Sequence, residues 1–420
     1  MSEYTREEIL KMIEERGGAE RLWLAGVDLS GIDLSRRAIT KELERYRSKH
    51  PGETPAWFSE TTKGINLCKA NLERANLQKA NLSGVNFQEA KLRHANVQEA
   101  ALMQANLQEA KLMQAKLQKA NLSWANLQKG DLGGANLRQA NLRGATLQQT
   151  DLGYANLEEA YLASAKLQEA DLRGARLQRA SLLWTDLRKA NLGIAHLETL
   201  DMYYVESMAG AYFQGTFLDR TRMRKEHLGA EIGEEVEREY DLAKEAYLLL
   251  KNNFNQIGRY DDASWAYIKE RQMEKRTYHP KLARKYYAEI EALPEGASPK
   301  SCAWWRFYVK YTLKWAWDWI IEGLCGYGDK PGRVLRAMLL LLVIAPFAYR
   351  LFGGLTHTDG RVATALDYLV YSFDAFSRIV GTDLVPLTMW GHLVTGLEAF
   401  LAVLLASLFI YTLGRRISRS

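Results

Sequence analysis

Few side chains in this 420-residue chain could do chemistry, and the most conspicuous is an acid in an oily stretch. Glu398 lies near the middle of Leu387 to Leu413 (LTMWGHLVTGLEAFLAVLLASLFIYTL). An ionisable carboxyl is costly in hydrocarbon, so it should face a bundle interior or water, lining a wet path or hydrogen-bonding across neighbouring helices. His392, one and a half turns earlier, reads as an interfacial residue. Just upstream, Asp374 precedes the run Arg378-Ile379-Val380-Gly381-Thr382-Asp383, which ends two residues before Val385-Pro386. A guanidinium near a narrow axis repels cations, unless Arg378 pairs with Asp374, four residues earlier, or with Asp383. No phosphate loop, nucleophile–base pair or metal-ligand spacing occurs elsewhere. Cys68, Cys302 and Cys325 are scattered, with no disulfide framework, which suits a reducing compartment. No catalytic residue, metal or cofactor is expected, and the chain does not read as an enzyme.

Two apolar stretches must position these residues. Val334 to Leu355 and Leu387 to Leu413 each approach or exceed what is needed to cross ~30 Å of hydrocarbon. Pro346 can kink the first, and Arg350 can snorkel near its far end. Arg333 and Arg336 precede the pair, and Arg415, Arg416 and Arg419 follow it. By the positive-inside rule both ends face the cytoplasm of a bacterial cell, with the spans in the inner (plasma) membrane. The opening MSEYTREEIL is too charged for a secretory signal, which agrees.

Between the spans, ALDYLVYSFDAFSRIVGTDLVP (residues 365–386) is too short and polar for a third crossing. Outer helix, re-entrant helix, loop and inner helix is the order of a tetrameric cation pore. This region resembles the two-transmembrane potassium-channel family, whose filter reads T-V-G-Y-G-D-x-x-P. Asp383 and Pro386 match that motif, Asp374 matches an acid near the end of the pore helix, and Trp390-Gly391 sits at a familiar distance. The resemblance implies a homotetramer passing ions through a lipid bilayer. Val380 and Thr382 stand at the filter's glycine positions and Arg378 at its inner threonine, so potassium selectivity is not expected. Non-selective or anion conduction fits better. The alternative is a non-conducting, membrane-anchored scaffold. Another filter-like run, Cys325-Gly326-Tyr327-Gly328-Asp329, has no apolar span before it and reads as a turn.

The largest part of the chain repeats every five residues. From Leu67 to Met202 every fifth residue is Leu, except Phe87, Val97 and Met202, giving 28 positions. A small residue, usually Ala, lies two places before each. Five fits neither helix nor strand periodicity, so it marks a solenoid. The pattern resembles the pentapeptide-repeat family, which implies a right-handed quadrilateral β-helix with four repeats per coil. Seven coils would stand about 34 Å tall. Gln recurs every ten residues (Gln78, Gln88, Gln98 and on), predicting stacked amide ladders on two faces. Residues 63–201 hold 18 Lys and Arg against 13 Asp and Glu, so the rod does not mimic DNA and no nucleic-acid partner is expected. Trp124 and Trp184, sixty residues apart, share a face and could anchor a protein partner.

The remaining segments read as supports. Thr5-Arg6-Glu7-Glu8 is a capping box opening a helix. Leu24, Leu29 and Leu34 mark an isolated first coil, and residues 35–62 interrupt the repeat. Glu234 to Phe254 and Tyr260 to Arg276 read as a helical hairpin turning at Gly258, resembling a single tetratricopeptide-like unit. AWWRFYVKYTLKWAWDWI, with Trp and Tyr beside a basic stripe, reads as an interfacial helix. The domains expected are 1–62 (cap), 63–220 (β-helix), 221–300 (helical connector), 301–330 (interfacial helix) and 331–420 (two-span pore-loop module).

Overall fold

The computed structural model describes residues 4–15, 24, 27–34, 44–46, 48–49, 66–287, 302–328, 330–352, 354–377, 382 and 384–417. The chain divides into two compact units, Met1–Met273 and Glu274–Ser420.

In the first unit the five-residue period becomes a coil of twenty. Parallel bridges join Asn66 to Asn86, Asn86 to Asn106 and so on at steps of twenty up to Arg176 and His196. The Leu positions from Leu67 to Leu197 are no more than 3% exposed, and the intervening Ala residues are buried with them. Where Thr replaces an inward Ala, its hydroxyl finds a carbonyl: Thr150 Oγ1 donates to Leu127 O at 2.8 Å and Thr185 Oγ1 to Leu162 O at 2.9 Å. This meets the demand that a buried polar group be bonded.

Each corner holds a residue in the left-handed region, such as Lys79 (φ 58°), Glu99 (φ 57°) and Trp124 (φ 60°). Side chains other than glycine resist that conformation by about 1 kcal/mol or more. The compensation is bonding between coils: Lys79 N–H donates to Gln98 O at 2.8 Å and Glu99 N–H to Gln118 O at 2.9 Å. Period five therefore means two inward side chains, one turn and three backbone bonds with the next coil, as in Leu77 N–H to Asn96 O, Lys79 N–H to Gln98 O and Asn96 N–H to Ala75 O.

The predicted amide ladder exists, but it runs through Asn rather than Gln. Asn96 Nδ2 donates to Asn76 Oδ1 (3.3 Å), Asn106 to Asn86 (3.2 Å) and Asn126 to Asn106 (3.3 Å). Asn Oδ1 also accepts the N–H two residues on, as from Gln108 to Asn106. The Asn side chain is short and leaves a bridged position, so neighbours stack at strand spacing. The Gln side chains start in the turn, and two of that series reach acids instead, Gln168 to Asp186 (2.6 Å) and Gln178 to Glu198 (3.1 Å).

The coil does not stop at Met202. One extra residue enters, the bridges lengthen to twenty-one (Asp186 to Ser207, Asp201 to Arg222), and Met208, Phe213, Leu218 and Met223 continue the core. At the other end, Leu24, Leu29 and Leu34 are buried and form the expected first coil, with Asp28 and Asp33 bridged to Asn71 and Asn76. Helix α1 (Arg6–Glu15) adds Ile9, Leu10 and Ile13 to the same core. Its capping box is formed: Thr5 N–H donates to Glu8 at 2.7 Å, and Glu8 N–H to Thr5 Oγ1 at 3.3 Å.

The rod's far end is closed by α2 (Lys225–Leu228), α3 (Gly233–Val236), α4 (Tyr240–Gln256) and α5 (Tyr260–Thr277). The helix expected from Glu234 is broken at Arg238 (φ 62°), and its long part begins at Tyr240. The cause is that both glutamates are engaged elsewhere. Glu234 accepts the Phe213 N–H at 2.5 Å, and Glu235 takes Tyr247 Oη (2.6 Å) and Lys269 Nζ (3.0 Å). Buried Asn253 bonds both ways with the Thr221 backbone, at 2.9 and 2.8 Å. Gly258 (φ 73°) makes the α4–α5 turn.

In the second unit come α6 (Ala283–Tyr287), α7 (Cys302–Cys325), α8 (Pro331–Leu351), β1 (Leu355–His357), α9 (Ala365–Ser377), β2 (Leu384–Pro386) and α10 (Met389–Ile417). Helix α7 buries Phe307, Tyr311 and Asp318 and leaves Trp305, Leu313, Trp317 and Trp319 exposed. The Cys325–Gly328 segment is the turn between α7 and α8, with Gly326 and Gly328 at positive φ. Asp329 lies outside the described residues. Pro331 opens α8, where its missing N–H costs nothing. Helices α8 and α10 are long and apolar enough to span a bilayer, at about 31 and 43 Å for 21 and 29 residues. Only 22% and 17% of their apolar windows are buried within the chain, unlike a soluble core helix. Strands β1 and β2 pair antiparallel, Thr356 opposite Val385, and tie together the two ends of the 355–386 segment.

Candidate functional site

Helix α9 has 13 residues, about 20 Å, too short to cross a bilayer, and packs on both α8 and α10. Glu398 holds the three together. It is 2% exposed; Tyr349 Oη of α8 donates to its Oε2 at 2.5 Å, and Ser372 Oγ of α9 donates to its Oε1. Tyr371 stands edge-on to Tyr349 (5.2 Å, 85°) and shares a hydrogen bond with Thr395 at 3.2 Å. The sequence places Glu398 on a wet path or across neighbouring helices. In the chain both oxygens are engaged by its own outer and short helices, because two hydroxyls lie within reach. Periodicity alone offers no means of finding Tyr349 or Ser372 as its partners.

Of the remaining loop residues, Thr382 lies near Asp374, Oγ1 to Oδ2 at 3.5 Å, a weak contact. Arg378, Ile379, Val380, Gly381 and Asp383 lie outside the described residues, as do both pairings considered for Arg378.

The rod supplies a second surface. Trp124 and Trp184 fall on one face, through bridges linking Asn121, Asn141, Tyr161 and Ser181. They are 60% and 59% exposed, which makes them surface groups rather than core. The Trp124 ring lies over Gly144: a Cβ there would sit 2.4 Å from Trp124 Cε3. Tyr154 covers Gly174 in the same way (2.6 Å), and Ile194 covers Gly215 (3.0 Å). In these three places a bulky corner residue is followed one coil later by glycine, a signal visible in the sequence at steps of twenty or twenty-one, whereas Trp184 is followed by Tyr204. A groove of about 620 Å³ opens on the Trp184 side, lined by Arg143, Tyr161, Ser164, Leu183 and Trp184 among others.

The family described as Pentapeptide repeats matches in 8 copies, at residues 63–88, 80–118, 120–153 and 155–193. No curated protein matches. Among solved structures, the chain is similar to HetL, a pentapeptide repeat protein involved in heterocyst differentiation regulation from the cyanobacterium Nostoc sp. strain PCC 7120. The two are 26% identical with a TM-score of 0.24, over 53% of this chain and 95% of that one. It is also similar to full-length QnrB1, a plasmid-mediated fluoroquinolone resistance protein (15%, TM-score 0.24, 49% and 90%). A pentapeptide repeat protein from the Arabidopsis thaliana thylakoid lumen is 27% identical (TM-score 0.10, 26% and 66%). The chain carries a solenoid of pentapeptide repeats, a helical C-terminal region and two helices long and apolar enough to cross a membrane.

Proposed function

We propose that the second unit forms, as a homotetramer, an ion-conducting pore of the two-transmembrane, pore-loop kind, with the repeat rod as its cytoplasmic sensing or scaffolding part. The observation that carries this reading is α9, a helix too short to span, wedged between two spanning helices and bonded to both through Glu398. By sequence, the stretch between the two long apolar helices is too short and polar for a third crossing. In this reading Glu398 is a support that fixes the short helix, and Arg378, Ile379, Val380, Gly381, Thr382 and Asp383 are the filter residues. The glycine positions of a potassium filter hold Val380 and Thr382, so the reading is a pore without potassium selectivity, and it assigns no catalysis.

A second reading, a non-conducting membrane scaffold, is favoured by the exposed tryptophans on the rod. Flux from liposomes holding the purified protein separates the two. Passage of potassium, sodium or chloride, altered by Arg378→Gln, is expected. Impermeability to all three under every ionic and voltage condition would leave the scaffold.

A further inference from the structure

The four faces of the rod are chemically unequal. On the face running from Ala101 to Tyr204, the outward positions hold two charged side chains, Arg143 and Asp201. The other three faces, over the five coils from 106 to 199, hold five, seven and eight. The charge-poor face carries Met103, Trp124, Tyr161, Leu183, Trp184 and Tyr204, each at least 41% exposed. Depletion of charge with enrichment of Trp, Tyr and Met is the composition of a protein–protein interface core. Asp201 is compensated by Arg222 at 3.1 Å. Among the described residues no acid is paired with the exposed Arg143 guanidinium, which stands in the 620 Å³ groove beside Tyr161 and Trp184.

We infer that this groove binds an extended protein segment bearing one Asp or Glu carboxylate between apolar side chains. Arg143 supplies the bidentate cation for the carboxylate. Tyr161, Leu183 and Trp184 supply apolar walls, and Ala163 and Ser164 leave the floor low enough for a backbone to approach. Trp124 and Trp184 are three coils apart, about 14 Å, which an extended segment of about four residues spans. Charge decides between a peptide and a single-stranded nucleic acid: the latter needs a track of cations along its phosphates, and this face offers one. The inference is independent of whether the pore conducts.

The test uses the full chain in detergent micelles and fluorescein-labelled ten-residue peptide pools with a central Asp or Glu flanked by Pro, Leu or Phe. Matched pools carry Asn or Gln, and a ten-residue oligothymidine serves as the nucleic-acid probe. Anisotropy should rise with the acidic pools and be roughly tenfold weaker for the amide pools, for Arg143→Ala and for Trp184→Ala. Arg143→Glu should move the preference to pools with a central Lys, a reversal that loss of folding cannot produce. Equal binding of acidic and amide pools, binding of the oligonucleotide instead, binding only of a second copy of the chain, no binding, or indifference to Arg143→Glu would each overturn the proposal.

Discussion

Replacing Gly144 by alanine should lift Trp124 from the rod, and the energy can be worked from the structure. Trp124 is 60% exposed, so about 100 Å² of a side chain of roughly 250 Å² is covered, worth at most about 2.5 kcal/mol at 25 cal/mol/Å². An alanine Cβ at Gly144 would sit 2.4 Å from the ring, which must leave. The backbone there has φ +66°, which adds about 1 kcal/mol for any side chain. Gly144→Ala alone should therefore cost between about 2 and 3.5 kcal/mol, but only about 1 kcal/mol when Trp124 is already Ala. The assay is native-state hydrogen exchange read at the Trp124 and Gly144 amides, which donate to Arg143 O and Ala163 O, both at 2.9 Å. Each 1.4 kcal/mol of local destabilisation speeds exchange tenfold. A cost for Gly144→Ala that is the same, within about 0.4 kcal/mol, with Trp or Ala at position 124 would show that the ring does not lie over the glycine.

Three further outcomes are expected. Burial holds the Glu234 carboxyl above its usual range, so its protonated form stabilises the rod's end at acid pH, and that stability is lost as pH rises past the ordinary carboxylate value. Glu234→Gln should then match the parent in acid and gain on it, by about 1 kcal/mol, towards neutral pH; a gap that shrinks with rising pH in thermal melts would refute this. Asn106→Ala removes one rung of the amide ladder, an acceptor for Gln108 N–H and Asn126 Nδ2, and should cost about 1 kcal/mol in local exchange. No change in protection at Gln108 would count against the ladder. Tyr349→Phe leaves one buried oxygen of Glu398 without its donor and should cost about 1–3 kcal/mol in unfolding from detergent, an effect that Glu398→Leu in the same chain should remove. Persistence of the full penalty in the double variant would refute the link.

The rod is legible in the sequence because a side chain pointing inward every fifth residue leaves its mark directly in the order of residues. Leu24, Leu29 and Leu34 are readable as a coil by the same rule, far as they lie from Leu67. The step from Met202 to Met208 is not, because one inserted residue breaks the count while the apolar core goes on. Gln looks like the ladder residue because repetition shows which residues stack, not which atoms are near enough to bond. The glutamates at 234 and 235 look like helix surface; their partners, Phe213, Tyr247 and Lys269, are close only in space. Glu398 is conspicuous through the cost of an acid in hydrocarbon, whereas its donors, Tyr349 and Ser372, are ordinary residues of their helices.

The two ends of the rod carry a consequence for assembly. Every coil offers its neighbour a row of N–H and C=O groups, so an uncovered end would template another chain as readily as another coil. At the 222 end those donors are met by side chains: Glu234 takes Phe213 N–H, Asn253 takes Thr221 N–H at 2.9 Å, and Gln256 takes Arg220 N–H at 3.2 Å. At the other end, Ile9, Leu10 and Ile13 lie in the solenoid core. The caps therefore act as stoppers against end-to-end polymerisation, and a rod shorn of them is a seed for fibres.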